Sequence, residues 1–127
     1  MQQLDSMEKA RIAADAALDV KALDVVALDV REVSSFADVF VIATGRSDRQ
    51  VRAIADSIEQ AVERAGAPPL GIEGYGEGRW VLIDLDDVIV HVFQPDAREH
   101  YDIERLWGDA ARLALPAAEP ARAKELR

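Results

Sequence analysis

Residues 72–107 read IEGYGEGRWVLIDLDDVIVHVFQPDAREHYDIERLW and contain both tryptophans, both tyrosines and both histidines of the chain. Inside this stretch, two strand-like runs, Arg79–Leu85 and Val88–Gln94, are separated only by Asp86 and Asp87. Two residues are the commonest length for a β-hairpin loop, although type I′ loops prefer Asn-Gly or Asp-Gly to Asp-Asp. The spacing therefore predicts a hairpin with a fixed register.

The two faces of this predicted hairpin differ in composition, because successive side chains of a strand point to opposite sides. One face pairs Leu85 with Val88, Ile83 with Val90 and Val81 with Val92. The opposite face pairs Trp80 with Phe93, Leu82 with His91 and Asp84 with Ile89. The first face is wholly aliphatic and must be buried. The second, mixed face suits either an exposed docking surface or an aromatic core beneath a further helix layer.

The rest of the chain predicts three helices and three more strands. The predicted helices span Leu4–Leu18, the segment from an N-cap at Ser47 to a C′ glycine at Gly66, and the segment from Pro95 to Gly108 with a kink near Tyr101 and Asp102. The predicted strands are Val25–Val30, Val39–Thr44 and Leu70–Glu73. Phe36, in the turn between the first two strands, is expected to tuck under a neighbouring element. The order α-β-β-α-β-β-β-α corresponds to a mixed five-stranded sheet in an α/β or α+β domain.

Composition limits both the architecture and the partners. The 127 residues, 50% of them hydrophobic and 31% charged, suit one compact domain. A net charge of −9 disfavours unaided binding to bare nucleic acid or anionic membrane and favours a basic protein partner. The chain has no cysteine, no signal-peptide pattern and no apolar run of membrane-spanning length, so we expect a cytoplasmic protein. Residues 113–127, interrupted by Pro116 and Pro120, are predicted to be a disordered tail.

No motif in the chain supplies a catalytic set. The glycines from Gly71 to Gly78 precede a strand, whereas the glycines of a phosphate loop open a helix. His91 and His100 have no nucleophile or carboxylate at a recognisable spacing. We therefore expect no enzymatic activity, no cofactor and no metal. The strand-to-helix junction Thr44–Asp48 remains the alternative, as the anion site of a nucleotide- or phosphate-binding enzyme, against its simpler role as a helix cap.

Aromatic and acidic side chains are concentrated around the mixed face, a combination typical of a protein-binding patch. A small aromatic core is the other interpretation of the same residues. The candidate partner-binding residues are Trp80, Leu82, Asp84, His91, Phe93, Glu99, Tyr101, Leu106 and Trp107.

Three segments of the chain resemble the ribosomal silencing factor family, also called Iojap-related proteins. They are Ser34–Asp38 with Phe40–Gly45, Ser47–Val51 with Ala53–Asp56, and Glu73–Gly74 through Leu106–Asp109. The resemblance covers about residues 7–112 without insertions, so residues 1–112 would form the family's domain. Many members have a glycine where this chain has Asp86-Asp87, which leaves the geometry of that turn open.

The resemblance implies a function that the residues alone do not give. It implies binding to the large ribosomal subunit through one of its small basic proteins, the fourteenth of that subunit, at the face where the small subunit docks. Joining of the subunits would then be blocked sterically and translation repressed. The implied fold is a mixed sheet related to nucleotidyltransferases but without their catalytic carboxylates, often found as a homodimer. A dimeric scaffold with no ribosomal role is a third reading.

Overall fold

The fold is seen in a computed structural model that describes residues 4–106 and 111–113. Its helices are α1 (Ser6–Asp19), α2 (Asp48–Arg64), α3 (Pro95–Tyr101) and α4 (Ile103–Leu106), and its strands are β1 (Leu23–Asp29), β2 (Val39–Thr44), β3 (Gly71–Glu73), β4 (Trp80–Asp84), β5 (Val88–Phe93) and β6 (Ala111–Arg112). The five predicted strands and their order are confirmed. Trp107, the predicted helix end at Gly108 and residues 114–127 lie outside the described ranges.

The strands form one mixed sheet in the spatial order β3-β4-β5-β2-β1-β6. Strands β2 and β5 run parallel, and the other neighbouring pairs are antiparallel. The domain is therefore α+β with a mixed sheet, as predicted, whereas a relation to nucleotidyltransferases stays a prediction.

A sixth strand, β6, was not predicted. Ala111 pairs with Asp29 and Arg112 with Leu28, so β6 covers part of the outer edge of β1. Leu113, which we assigned to the tail, continues this pairing by donating its N–H to the Ala27 carbonyl at 2.9 Å. Its side chain also packs against the core. The ordered contacts of the sheet thus extend one residue beyond the predicted domain end.

The hairpin of β4 and β5 has the predicted register on both faces, from Trp80 opposite Phe93 to Asp84 opposite Ile89. Its loop is closed by the Leu85 N–H, which donates to the Val88 carbonyl at 2.9 Å. Asp86 has a φ of 76° and donates its N–H to the Asp84 carboxylate at 2.9 Å. Type I′ turns need positive φ at both loop residues, and here only Asp86 has it, which explains how an Asp-Asp loop is accommodated.

The aliphatic face of the hairpin, called here the first face, is covered by α1 and α2. Val81, Ile83, Val90 and Val92 are fully buried in the core that these helices share with the sheet. Alanines line the contact side of α1, which lets the helix lie close to the sheet. In the described ranges, no helix has both the length and the apolarity needed to cross a membrane.

Helix α2 begins and ends where the sequence predicts. Ser47 accepts the Gln50 N–H on its hydroxyl oxygen at 3.1 Å, and Gly66 follows the helix with a φ of 89°. The Gln50 side chain reaches one residue further back than in a standard capping box, because its Oε1 accepts the Arg46 N–H at 2.7 Å. Both ends of α2 are therefore fixed by local hydrogen bonds.

The opposite, second face of the sheet has a thinner cover, made by α3 and α4. The predicted kink is a full break: Asp102 adopts a left-handed φ of 47° between the two helices. Ala97 and Ile103 are buried against the sheet from this side. Phe36 does not tuck under any element, contrary to expectation, since 63% of it is exposed. The short helices leave part of the second face accessible to solvent.

We expect Val90→Ala to lower the free energy of unfolding by about 2 kcal/mol, because it removes methyl groups from a fully buried position of the first face. Urea denaturation measures the effect. Gln60→Ala, on the exposed side of α2, is the control and should change stability by less than about 0.5 kcal/mol. Equal stability of the two variants would contradict the assignment of Val90 to the core.

Candidate partner-binding site

The second face of the hairpin carries the mixed residues that the register places there. Trp80, Leu82 and Asp84 of β4 are half-buried, and their partners on β5 are buried. Strand β4 lies near one edge of the sheet, with only the three-residue β3 beyond it. The second face therefore passes from covered core at its centre to accessible surface towards that edge.

Trp80 is the centre of an aromatic cluster on this face. Its ring lies 5.0 Å from the Phe93 ring in a stacked arrangement and 4.5 Å from the Tyr101 ring, measured between centroids. His91 stacks on Phe93 at 6.0 Å and meets Phe40 edge-on at 5.2 Å. Aromatic contacts of this geometry add stabilisation beyond area burial alone. Phe93 of β5 and Tyr101 of α3 thus hold the Trp80 ring between the sheet and α3.

One hydrogen bond orients the Trp80 ring within the cluster. Its Nε1–H donates to His91 Nδ1 at 3.1 Å, so the neutral imidazole carries its proton on Nε2. That Nε2 is buried and has no hydrogen-bond partner among the described residues. Burial lowers the pKa of His91 to about 4, because the charged imidazolium would lose its hydration. At neutral pH, His91 is therefore an uncharged acceptor for Trp80.

The structure divides the predicted partner-binding residues into three groups. Trp80, Leu82 and Asp84 are half-buried, and Glu99, Tyr101 and Leu106 are exposed. His91 and Phe93 are buried in the free protein, with exposed fractions of 6% and 0%, and their assignment as contact residues stays a prediction. These two residues face the covered centre of the sheet and support Trp80 from beneath. Trp107 lies outside the described ranges.

Arg98 is a residue that the sequence did not single out, and it holds α3 and α4 in place on the second face. Its guanidinium donates to both carboxylate oxygens of Glu104 at 2.9 and 3.0 Å. It also donates to the Asp24 carbonyl at 2.7 Å and to the Thr44 hydroxyl at 2.8 Å. Asp24 has a φ of 50° and lies where the pairing of β1 and β2 shifts register, which turns its carbonyl towards Arg98. Arg98 thus joins both short helices to two strands.

The glycine-rich connection before β4 is required by close packing and not by phosphate binding. Gly74 has a φ of 82°, and a Cβ on it would overlap the Trp80 carbonyl oxygen. A Cβ on Gly78 would lie 2.8 Å from both the Arg52 guanidinium and the Asp48 Cβ. At Gly76, by contrast, a Cβ would meet nothing within 4 Å. Two of these glycines therefore set the backbone that delivers Trp80 to the sheet.

The alternative anion site at Thr44–Asp48 is not supported by its geometry. The Gly45 N–H donates to the Phe93 carbonyl at 2.9 Å, and the Arg46 N–H donates to the Gln50 side chain at 2.7 Å. The hydroxyl of Thr44 accepts from Arg98. Three of the groups that could bind an anion at this junction therefore already have partners within the protein. The junction is a helix cap and a helix-to-sheet contact.

Fold and site together define a small α+β domain whose mixed sheet has long helices on one face and an aromatic surface on the other. A model of the family described as ribosomal silencing factor during starvation matches residues 3–127. The chain therefore belongs to the ribosomal silencing factor family, whose name describes a regulatory role. The resemblance seen in the sequence motifs is confirmed.

Three individual relatives illustrate the match. The ribosomal silencing factor of Bacillus subtilis is 49% identical over 79% of this chain and 85% of its own length. That of Halalkalibacterium halodurans is 44% identical over 88% of this chain and 96% of its own. A crystal structure of a Chromobacterium violaceum protein, 41% identical, superposes with a TM-score of 0.81 over 83% of this chain and 88% of that one. Sequence and fold thus agree across most of the domain.

We expect the stability of the protein to fall as the pH drops from about 6.5 to about 4, because of His91. Its pKa is about 4 in the folded state and about 6.5 in an unfolded chain, so the unfolded state binds more protons in this window. The contribution of His91 is fully present above pH 6.5, and about 3 kcal/mol of unfolding free energy is lost once the pH is below 4.

Urea denaturation of His91→Asn and His100→Asn across this pH range separates His91 from the carboxylates that also titrate. His91→Asn should lose the His91 part of the pH dependence, whereas His100→Asn, at an exposed position, should retain it. If wild type and His91→Asn had parallel pH profiles, the burial of a neutral His91 would be refuted.

Proposed function

We propose that this protein binds the large ribosomal subunit through a small basic protein of that subunit, the fourteenth, and thereby blocks joining of the small subunit. The observation that carries the proposal is the partly exposed aromatic and acidic surface around Trp80. Membership of the ribosomal silencing factor family supports a ribosomal partner.

The composition of the surface suits protein recognition. Trp80 and Leu82 are half-buried apolar side chains, and Tyr101 beside them is 42% exposed. Tryptophan and tyrosine are enriched among the residues that dominate binding energy, and they act best in a well-packed setting. The contacts of Trp80 with Phe93, Tyr101 and His91 hold it in place before binding, which reduces the entropy lost on association.

The charge distribution suits a basic partner. The chain has a net charge of −9, and Asp84 and Glu99 contribute carboxylates to the accessible part of the second face. Neither carboxylate has an ion-pair partner in the part of the chain that the structure describes. Basic side chains of a ribosomal protein would neutralise them and steer association.

Steric exclusion accounts for the repression. A folded domain of 13.9 kDa bound at the face where the small subunit docks would occupy space that the small subunit needs. No chemical step is required of the protein in this mechanism. The homodimer implied by the sequence resemblance, and a cytoplasmic location, remain predictions.

We expect the protein to bind purified large subunits stoichiometrically and to reduce their association with small subunits. Light scattering of subunit mixtures during titration with the protein measures the reduction. Binding, followed by co-sedimentation, should weaken as salt is added, since charges across the interface are screened over about 8 Å at physiological ionic strength. Unchanged subunit association at saturating protein would refute the proposed blocking role.

We expect Trp80→Ala to weaken binding to large subunits by about 2 kcal/mol or more per folded molecule, as for an interface hot spot. Its melting temperature should also fall, because Trp80 is half-buried and donates a hydrogen bond to His91. Tyr75→Ala is the matched control, since Tyr75 is 41% exposed and donates to Asp56 of α2, on the side of the first face. Normal binding of folded Trp80→Ala would exclude Trp80 from the docking surface.

A further inference from the structure

The connection between β1 and β2 carries an exposed aromatic side chain that the proposed docking surface does not yet include. Phe36 is 63% exposed, far more than Trp80 or Tyr101 on the same side of the protein. Single exposed apolar residues are common and need no explanation of their own. The rigidity of the loop, its continuity with the aromatic cluster and its charge distinguish Phe36 from such a residue.

The loop around Phe36 is held by a dense set of hydrogen bonds. The Ser34 hydroxyl oxygen accepts the N–H groups of Phe36 at 3.2 Å and of Ala37 at 3.3 Å. The Ser34 N–H donates to the Val30 carbonyl at 2.7 Å, and the Val30 N–H donates to the Asp38 carbonyl at 2.9 Å. Ala37, the next residue, is buried. The backbone therefore presents Phe36 to solvent in a fixed position, which favours binding because little freedom remains to be lost.

The Phe36 ring continues the aromatic cluster of the second face. It lies 6.3 Å from the Phe40 ring, which meets His91 at 5.2 Å, and His91 in turn lies 6.0 Å from Trp80. With Tyr101 at 4.5 Å from Trp80, five rings cross the face from α3 to the loop. The middle rings of this row are buried or half-buried, and the two end rings, Phe36 and Tyr101, are exposed. A partner lying along this row would meet Phe36 at the end opposite Tyr101.

Carboxylates next to Phe36 give this end of the row the same sign of charge as the rest of the surface. Asp38 follows Phe36 by two residues and is half-buried. Asp84 lies in the same row of the sheet as Phe40, because both residues pair with Ile89. Among residues 4–106 and 111–113, neither Asp38 nor Asp84 has a close ion-pair partner, although the Arg31 guanidinium, which pairs with Asp29, also interacts with Asp38 over a longer distance. An apolar anchor beside carboxylates without a close ion pair fits a partner that offers an apolar pocket bordered by lysine or arginine.

We infer that Phe36 is a second apolar anchor for the basic ribosomal partner, and that Asp38 pairs with a cation of that partner beside it. This inference rests on the proposed function and extends the docking surface from Trp80 to the β1–β2 connection. The same basic protein of the large subunit would contact both ends of the row.

The test compares Phe36→Ala with Tyr75→Ala. Tyr75 is 41% exposed and donates to Asp56 of α2, so it is an exposed aromatic residue on the side of the first face. Co-sedimentation with large subunits should show an affinity at least about tenfold lower for Phe36→Ala and unchanged for Tyr75→Ala. Both variants should melt close to the wild-type temperature, because neither side chain is buried. Asp38→Asn should weaken binding and reduce its dependence on salt.

The possible outcomes separate this inference from the proposed function. If wild type and Phe36→Ala bind large subunits equally well, Phe36 is not an anchor, and the proposed function stands. Failure of wild type to co-sediment overturns both. Sedimentation equilibrium of the free protein tests whether a second copy of this chain covers Phe36 instead. If Phe36→Ala converts a dimer to a monomer and binds subunits normally, a second copy of this chain covers Phe36, and the inference is wrong.

Discussion

Both layers of the domain depend on the pairing of β4 with β5. Because side chains alternate along a strand, this register sends Val81 and Val92 to the helices and Trp80 and Phe93 to the opposite side. A slip of one residue would exchange the two sets, placing a tryptophan against the alanine-lined α1 and valines on the accessible surface. Two features oppose such a slip. The positive φ of Asp86 fixes the loop that joins β4 to β5, and the parallel pairing with β2 fixes β5 along its other edge. Core and docking surface are thus fixed by the same hydrogen-bond ladder.

Unequal helix cover then makes one face a core and the other a surface. The two long helices, α1 with 14 residues and α2 with 17, both lie on the first face, whereas α3 and α4 have only 7 and 4 residues. Helices this short bury little area and are not stable by themselves, so their position must come from tertiary contacts. Arg98 provides these contacts by joining Glu104 to Asp24 and Thr44 across the end of the sheet. What α3 and α4 leave uncovered is filled by aromatic rings, which remain partly accessible.

Sequence patterns predicted those features that depend on neighbours in the chain. The hairpin register follows from a two-residue loop, and the ends of α2 follow from Ser47 and Gly66, so both were predictable. The pairing of β6 with β1 joins residues about 80 positions apart in sequence, and two residues carry no strand signal of their own. The burial of His91 and Phe93 depends on where α3 returns over the sheet, which no local pattern specifies. The exposure of Phe36 depends in turn on the Ser34 turn, whose geometry a hydrophobicity pattern does not show.

The position of His91 indicates what the second face is built to provide. A leucine there would fill similar space without the cost of burying an imidazole Nε2 that has no partner among the described residues. It would, however, leave the Trp80 Nε1–H without its acceptor and free the indole to turn about its side-chain bonds. The histidine therefore costs stability and in exchange holds the orientation of a half-buried tryptophan. A fixed orientation does little for a core, where packing alone confines a ring. It matters at a surface that must match a partner, because each side chain ordered in advance reduces the entropy lost on binding.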